Sequence, residues 1–308
     1  IAIDLAEQRP IYEDMAIKFL EHFLQIATAL NNIGEENVDL WNDEDGFFYD
    51  VLHLPNGYSF PLKIRSMVGI IPLFAVETMK ESIFKKLPRF SQRLEHLIRE
   101  KPELCDLVSH FQVQGNEGRR LLSLWRGFRM KKVLQKVLDE TEFLSDYGIR
   151  SMSKFHLDNP YNYHTHDATF TVAYTPGESD TFLFGGNSNW RGPVWFPVNY
   201  LLIESLLKFH HYYGEEYKLE YPQSSGKFMT IKEVAYEIGK RLIKIFQKDE
   251  NGLRPVYNLH PKLQADPHFS ENILFYEYFH GDNGSGLGAP HQTGWTALVS
   301  DMIHKLYR

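Results

Sequence analysis

Amphipathic helical segments separated by long connections are the feature that most constrains the fold of this chain. In residues 12–31, apolar side chains such as Met15, Phe19 and Phe23 recur at the three- and four-residue spacing that places them on one helix face. The same kind of pattern predicts about seven helices in all. The other six are expected at 66–79, 90–100, 128–140, 197–213, 230–247 and 293–307. A short helical piece is predicted in addition at 103–110. The sequence therefore predicts an all-α protein.

Three helix boundaries carry explicit signals. Pro197 stands where a first-turn proline is tolerated, and Gly214 is placed to end the same helix. Thr230, with Glu233 three residues later, forms the pattern of a capping box. These signals predict where two of the C-terminal helices begin or end.

The connections between the helices are long and rich in turn residues. Asp-Gly and Asn-Gly pairs within residues 40–63 predict a long loop with one hairpin, and residues 146–193 contain one predicted strand at 169–174. Loops of such length are uncommon in compact domains unless they form a site. We therefore expect the functional residues in these loops.

Charge and composition exclude several classes of partner. The chain of 308 residues has a net charge of −7 and no long basic run, which argues against nucleic acid. Its longest apolar stretch, about 67–76, is interrupted by Gly69 and Pro72 and is too short to span a membrane. The single cysteine, Cys105, cannot form an internal disulfide, which predicts a cytoplasmic location. The expected partners are neutral or small.

The segment 275–295 contains the strongest candidate for acid–base chemistry. Glu277 has two aromatic residues on each side, and the partial desolvation of a carboxylate suits it to proton transfer near neutral pH. The glycine-rich stretch 281–288 lets the backbone approach a ligand closely. His280 and Trp295 lie near its two ends. The alternative is a strand edge with a surface glutamate and a flexible turn.

A second cluster lies just before a predicted helix. Trp190 and Trp195 flank Arg191 within residues 185–200. Indole rings stack on flat ligands, and an arginine beside them can donate hydrogen bonds to hydroxyl groups or a carboxylate. The alternative is that both indoles pack in the core at the start of the helix.

Other chemistries lack their motifs. Glycines 284, 286 and 288 miss the dinucleotide-binding spacing, and the sequence has no phosphate-binding loop and no GxSxG motif. His164, His166 and Asp167 could begin a metal site, but no further ligand follows at a recognised spacing. We therefore expect neither a metal nor a cofactor. Cys105, between Leu104 and Leu107, is expected to be a buried apolar residue.

Both singled-out segments resemble glycoside hydrolase family 63. NWRGPVWFPVNYLLIESL, at 189–206, and FYEYFHGDNGSGLGAPHQTGWTALV, at 275–299, look like the C-terminal half of its catalytic domain, above all in bacterial relatives with a mannosylglycerate-hydrolase-like domain. Residues 40–55, 62–79 and 178–193 extend the likeness to nearly the whole chain. WRGPxW also occurs in trehalases, which share the architecture.

The resemblance implies an (α/α)6 toroid, two concentric rings of six helices, with long loops and minor β structure. About seven helices are roughly half of the twelve required. Residues 1–308 are therefore expected to be the C-terminal part of one catalytic domain, completed by the upstream half of the same polypeptide, and the start at Ile1 without an initiator Met agrees with this.

The resemblance also assigns roles. It makes Glu277 the general base of an inverting mechanism, and it places the general acid, an Asp, upstream of this chain; Asp45 and Asp50 are the alternatives within it. Asn189 stands where relatives often carry Tyr. The implied substrate-binding residues are Trp190, Trp195, Gln292, Arg191, Asn189, His280 and Trp295.

The predicted function is hydrolysis of an α-glucosidic or α-mannosidic bond in a small saccharide or glycoside, with this segment inactive on its own. One alternative is a non-catalytic carbohydrate-binding helical domain that retains Trp190, Trp195 and Gln292. Another is a helical scaffold whose aromatic residues all pack in the core.

Overall fold

The computed structural model describes residues 1–31, 40–100, 113–125, 127–178 and 190–307. This part of the chain is largely helical, with a helical content of 47% and twelve α-helices, several of them a single turn. The α-helices are α1 Ala2–Gln8, α2 Glu13–Asn31, α3 Glu81–Lys86, α4 Pro88–Glu100, α5 Gly127–Val137, α6 Phe155–Asp158, α7 Phe196–Tyr213, α8 Ile231–Lys244, α9 Pro261–Ala265, α10 Pro267–Glu271, α11 Thr293–Thr296 and α12 Leu298–Leu306.

Short strands connect the helices in the described ranges and pair as seven two-stranded antiparallel sheets. The pairs are β1 Trp41–Asn42 with β2 Phe47–Phe48, β3 Asp50–His53 with β4 Ser59–Leu62, β5 Val76–Met79 with β6 Arg120–Ser123, β7 Leu144–Ser145 with β8 Gly148–Ile149, β9 Tyr161–His164 with β10 Thr169–Val172, β11 Lys218–Glu220 with β12 Phe228–Thr230, and β13 Tyr278–Phe279 with β14 Gly286–Leu287. The single hairpin predicted in residues 40–63 is in fact two hairpins.

Most of the longer predicted helices are confirmed within a few residues. These are α2, α4, α5, α7 and α8. The capping box of α8 forms as expected, because Thr230 Oγ1 accepts a hydrogen bond from the Glu233 N–H and Glu233 Oε2 accepts one from the Thr230 N–H. Gly214 ends α7 with a φ of 69°.

The helix predicted over 66–79 is wrong. Two 3₁₀ turns, Met67–Gly69 and Ile71–Phe74, are followed by strand β5. Pro72 interrupts the helical hydrogen bonds, and Gly69 lies so close to Phe47 and Phe48 that a side chain would not fit. Strand β5 pairs with β6, a partner about 40 residues away that local periodicity does not reveal.

The last predicted helix, 293–307, is divided into α11 and α12 at Ala297. Thr296 is fully buried and its hydroxyl donates a hydrogen bond to the Tyr276 carbonyl, which ties α11 to the segment around Glu277. The predicted helical piece at 103–110 and Cys105 lie outside the described residues.

The chain divides into two compact units. The first contains residues 1–62, 69–133 and 207–217, and the second contains 63–68, 134–206 and 218–308. The core of the second unit includes Val194, Phe196, Ile238, Tyr257 and Phe279. Across the described ranges, none of the helices combines the length and apolarity needed to cross a membrane.

Candidate active site

The two segments singled out from the sequence meet in the second unit. The Val194 N–H donates to the Phe279 carbonyl at 2.8 Å, and the Phe279 N–H donates to the Val194 carbonyl at 2.9 Å. This bridge places Trp195, which follows Val194, beside Tyr278, which precedes Phe279. A backbone contact between residues far apart in sequence therefore assembles the site.

Three aromatic rings from these segments form a parallel stack. The ring centroids of Trp190 and Trp195 are 4.0 Å apart with an interplanar angle of 9°, and those of Trp195 and Tyr278 are 4.7 Å apart at 23°. Trp195 and Tyr278 are buried, whereas Trp190 is 43% exposed. This aromatic stack, Trp190, Trp195 and Tyr278, therefore reaches solvent at Trp190.

Trp295 joins the stack from α11. Its ring is tilted by 54° against Trp195 at a centroid distance of 5.8 Å, and it is 39% exposed. The free aromatic surface thus belongs to Trp190 and Trp295, while Trp195 lies between Trp190 and Tyr278. The structure brings together all three tryptophans predicted to bind substrate.

Glu277 is half-buried next to the innermost ring of the stack. Its Oε2 accepts a hydrogen bond from the Ala289 N–H at 3.2 Å. Gly288 has a φ of +71°, and a methyl group there would lie 2.8 Å from Glu277 Oε2 and 2.6 Å from Tyr278 Cε1. Only glycine suits this conformation and this space, so Gly288 lets the loop close against both the carboxylate and the ring.

His280 organises the glycine-rich loop. Its Nδ1 accepts hydrogen bonds from the N–H groups of Asp282 and Asn283, at 3.2 and 3.3 Å. Burial lowers the pKa of His280, and the negative charge of Asp282 opposes this effect. The ring is therefore neutral at pH 7, with its proton on Nε2. The structure thus shows that His280 holds the loop in place. Its contact with substrate stays a prediction.

A buried arginine, which sequence reasoning missed, anchors the same loop. Arg150 donates to Asp282 Oδ1 at 2.9 Å and to Tyr174 Oη at 3.0 Å, and Tyr174 Oη donates to Asp282 Oδ1 at 3.0 Å. Burial alone would raise the pKa of Asp282, but the hydrogen bond and charge of Arg150 outweigh it and hold that pKa below its usual range. Arg150 precedes Asp282 by 132 residues, so no local signal in the sequence links them.

Two other parts of the second unit hold the backbone of the WRGP segment, residues 190–193. The Gly192 N–H donates to Ser151 Oγ at 3.1 Å, and the Arg191 carbonyl accepts from the Thr175 N–H at 2.7 Å. Arg191 itself is buried. Asn189 lies outside the described residues.

Gln292 begins α11 and is half-buried. Its N–H donates to the Phe275 carbonyl at 2.8 Å, and its own carbonyl accepts from the Trp295 and Thr296 N–H groups. The backbone of Gln292 is thereby fixed at the base of the turn that presents Trp295 and is tied to Phe275.

Asp45 and Asp50, the alternative acids, belong to the first unit. The Asp45 N–H donates to Asn42 Oδ1 at 2.8 Å in a turn, and partial burial raises the pKa of Asp50 in β3.

A second glutamate touches the stack, and the sequence analysis did not single it out. Tyr278 Oη donates to Glu178 Oε1 at 2.8 Å. Burial raises the pKa of Tyr278, and the hydrogen bond to Glu178 and the charges of Glu178 and Glu277 raise it further. The position of Glu178 in a resembling motif, ESDTFLFGG, was the one signal that could have drawn attention to it.

The histidines considered for a metal lie on an exposed hairpin. His164 Nδ1 is 2.9 Å from Thr169 Oγ1, and His166 Nδ1 is 3.0 Å from Asp167 Oδ1. In the part of the chain that the structure describes, no three His, Cys, Asp or Glu residues are grouped to hold a metal ion.

Comparison with known proteins relates part of the chain to one family. Residues 121–226 match the sequence model of the glycosyl hydrolase family 63 C-terminal domain, which confirms the expected resemblance. The matched range includes Trp190 and Trp195 and ends before Glu277.

Individual relatives are similar in sequence to longer parts of the chain. The uncharacterized protein YMR196W of Saccharomyces cerevisiae is 44% identical over 317 residues, which cover 98% of this chain and 29% of the relative. The mannosyl-oligosaccharide glucosidase of S. cerevisiae is 23% identical over 176 residues, 57% of this chain and 15% of the relative. A probable mannosyl-oligosaccharide glucosidase of Schizosaccharomyces pombe is 23% identical over 179 residues, 58% of this chain and 16% of the relative. The chain thus spans less than a third of the length of these proteins.

Proposed function

We propose that this chain is the C-terminal part of the catalytic domain of an inverting glycoside hydrolase. The family match and the names of the two glucosidase relatives support a glycosidase. The helical content supports an (α/α)6 toroid to which residues 1–308 contribute one part and the upstream half of the polypeptide the rest.

The observation that carries this proposal is the position of Glu277. Its carboxylate lies beside an aromatic stack that reaches solvent, next to Tyr278 and Gly288. A sugar ring can stack its C–H face on Trp190 or Trp295, since both indoles are exposed. A candidate base and a stacking surface at one place are two of the parts that sugar hydrolysis needs, and the general acid is the third.

In the proposed mechanism, Glu277 removes a proton from a water molecule as the water oxygen attacks the anomeric carbon. The bond from that carbon to the leaving oxygen breaks, and an upstream Asp protonates this oxygen. The two carboxyl groups of an inverting enzyme stand about 6.5–9.5 Å apart, which leaves room for the water. The product sugar would therefore have the opposite anomeric configuration to the substrate.

The other predicted residues contribute binding or support. Trp190 and Trp295 provide the stacking surface, and Gln292 and Asn189 are proposed to contact sugar hydroxyls. Arg191 and His280 are proposed as contacts too, and their surroundings also hold the loops in place. The substrate is proposed to be an α-glucoside or α-mannoside, and the single cysteine favours a cytoplasmic site of action.

Substitution Glu277→Gln in the full-length parent tests the proposal. We expect hydrolysis of aryl α-glucosides, aryl α-mannosides and disaccharides to fall by about 10²–10⁴-fold, the usual contribution of a general base. Sugar binding, followed by tryptophan fluorescence, should persist. The matched control is Glu250→Gln, which changes an exposed carboxylate in a distant turn.

Three outcomes would contradict parts of the proposal. Full turnover by the Glu277→Gln parent would remove Glu277 as the base. Turnover by the 308-residue chain alone would show that the acid is not supplied from upstream. A parent that binds sugars but hydrolyses none of them would favour the carbohydrate-binding alternative.

A further inference from the structure

Glu178 is placed at the aromatic stack by a contact that spans a hundred residues. Its Oε1 accepts the hydrogen bond of Tyr278 Oη at 2.8 Å. Tyr278 is the innermost ring of the stack and follows Glu277 directly in the chain. Two glutamates therefore lie close to one buried tyrosine. Glu178 is at its hydroxyl, and Glu277 is near its ring edge, where Gly288 has no side chain to keep the carboxylate and the ring apart.

Glu178 is the acceptor in its hydrogen bond with the Tyr278 hydroxyl. Burial, with the nearby negative charges, raises the pKa of Tyr278, so its hydroxyl remains a donor at neutral pH. An ionised carboxylate offers about four acceptor positions. Among the described residues, Tyr278 is the one group that donates to Glu178, and Glu178 is exposed. Its remaining acceptor positions can meet hydroxyl groups of a ligand.

The negative charges next to the aromatic stack disfavour the binding of an anionic ligand. Glu178 and Glu277 both bring negative charge to Tyr278. The arginine of the WRGP segment, Arg191, is buried and has contacts of its own. A ligand carboxylate or phosphate would meet repulsion here, whereas neutral hydroxyl groups would find acceptors beside a stacking surface.

We propose that Glu178 is a second sugar-binding carboxylate of this site, and that the ring bound there is an uncharged sugar with free hydroxyl groups rather than a uronic acid or a sugar phosphate. This inference rests on the proposed function and names the class of its substrate.

The test uses the full-length parent and its tryptophan fluorescence. Methyl α-glucoside and methyl α-mannoside serve as neutral probes, and the methyl glycoside of α-glucuronic acid serves as the anionic probe of the same shape. We expect the wild-type parent to bind the neutral probes at least about tenfold more tightly than the uronate. In Glu178→Gln, the sugar hydroxyl groups would donate to a neutral amide instead of a carboxylate. We therefore expect this substitution to weaken binding of the neutral probes about tenfold and to reduce their preference over the uronate at least about threefold.

Tyr278→Phe distinguishes direct binding of the sugar by Glu178 from a role of Glu178 that is limited to supporting the Tyr278 ring. It retains the stack but removes the donor to Glu178, so neutral binding should weaken while the preference over the uronate persists. Glu250→Gln, the exposed control, should change neither quantity.

The outcomes separate this inference from the proposed function. If the wild-type full-length parent binds none of the probes, the sugar site itself is absent and both proposals fall. If neutral sugars bind and Trp190→Ala abolishes binding, but Glu178→Gln alters neither affinity nor the preference, the sugar site stands and the role of Glu178 is overturned. Equal binding of the uronate by the wild type would also overturn it.

Discussion

Two groups of aromatic residues in this chain pack in different ways. In the first unit, Trp41, Phe48 and Trp125 form an aromatic cluster whose rings meet edge to face, at interplanar angles of 65°, 88° and 78°. In the second unit, the aromatic stack of Trp190, Trp195 and Tyr278 is parallel, at 9° and 23°. Both groups contain two tryptophans, so ring content alone does not distinguish them.

Burial and neighbouring charge separate the two groups. All three rings of the aromatic cluster are buried, and the guanidinium of Arg129 covers Trp41 at 4.9 Å from the ring centroid. The aromatic stack ends at the exposed Trp190. A closed edge-to-face cluster uses its surface for internal packing, whereas an open parallel stack leaves a flat face for another ring. This difference is the reason that we propose the second group, and not the first, as a ligand surface.

The largest expected effect is on the aromatic cluster. Trp125→Ala removes a ring that is only 1% exposed. Such a deletion should lower the free energy of unfolding by about 3–5 kcal/mol. Urea denaturation followed by circular dichroism measures this, and a loss below about 1 kcal/mol would show that the cluster is not core packing.

The next largest effect concerns the loop beside the stack. Asp282→Asn replaces the charged partner of Arg150, and loss of that charge-assisted hydrogen bond should cost about 2 kcal/mol at pH 7. Because the pKa of Asp282 is lower in the folded protein than in the unfolded chain, its contribution is present above about pH 4 and is lost as the pH falls through the folded value.

Urea denaturation between pH 3 and 7 checks this expectation. The difference between the wild type and Asp282→Asn should shrink at the acidic end. Asp146→Asn is the control, because its carboxylate is 65% exposed and its pairs should contribute less than about 0.5 kcal/mol. A difference that does not change with pH would contradict the role of the charge.

A further effect of similar size is expected at Gly288. Gly288→Ala and Gly252→Ala both introduce a side chain at a positive φ, +71° and +77°, but only the methyl at Gly288 meets other atoms, those of Glu277 and Tyr278. Gly252→Ala should cost about 1 kcal/mol, and Gly288→Ala about 1–3 kcal/mol more because of the overpacking.

Denaturation of the two glycine variants measures the difference. Binding of methyl α-glucoside should weaken in Gly288→Ala alone. Equal stability and equal binding in the two variants would show that the loop does not press the carboxylate against the stack.

The smallest expected change in stability is at Trp190. Trp190→Ala removes one exposed stacking partner and should cost about 1 kcal/mol. Yet it should abolish most of the sugar-induced fluorescence change. Phe228→Ala, at a 65% exposed ring outside the stack, should leave sugar binding unchanged. Unaltered sugar binding in Trp190→Ala would contradict the proposal that the aromatic stack, and not the aromatic cluster, binds sugar.

Much of the secondary structure could be predicted because it depends on neighbours in sequence. The capping box at Thr230 and the end of α7 at Gly214 involve contacts within a few residues. The helix predicted over 66–79 failed because β5 exists through its pairing with β6, which local periodicity does not describe. In α2 the predicted apolar face is only partly buried, since Ala16 is buried as that face requires while Phe19 is 54% exposed.

The candidate site divides in the same way. The sequence by itself identified Glu277, Trp190, Trp195, Gln292 and Trp295, because their residue types and motifs are local and resemble one family. Only the tertiary structure decided which of these rings are buried and which are free, and it added Tyr278, Glu178 and the buried Arg150. The physical reason is distance along the chain: side chains a hundred residues apart are brought together by backbone pairing and buried charge, which no local pattern records.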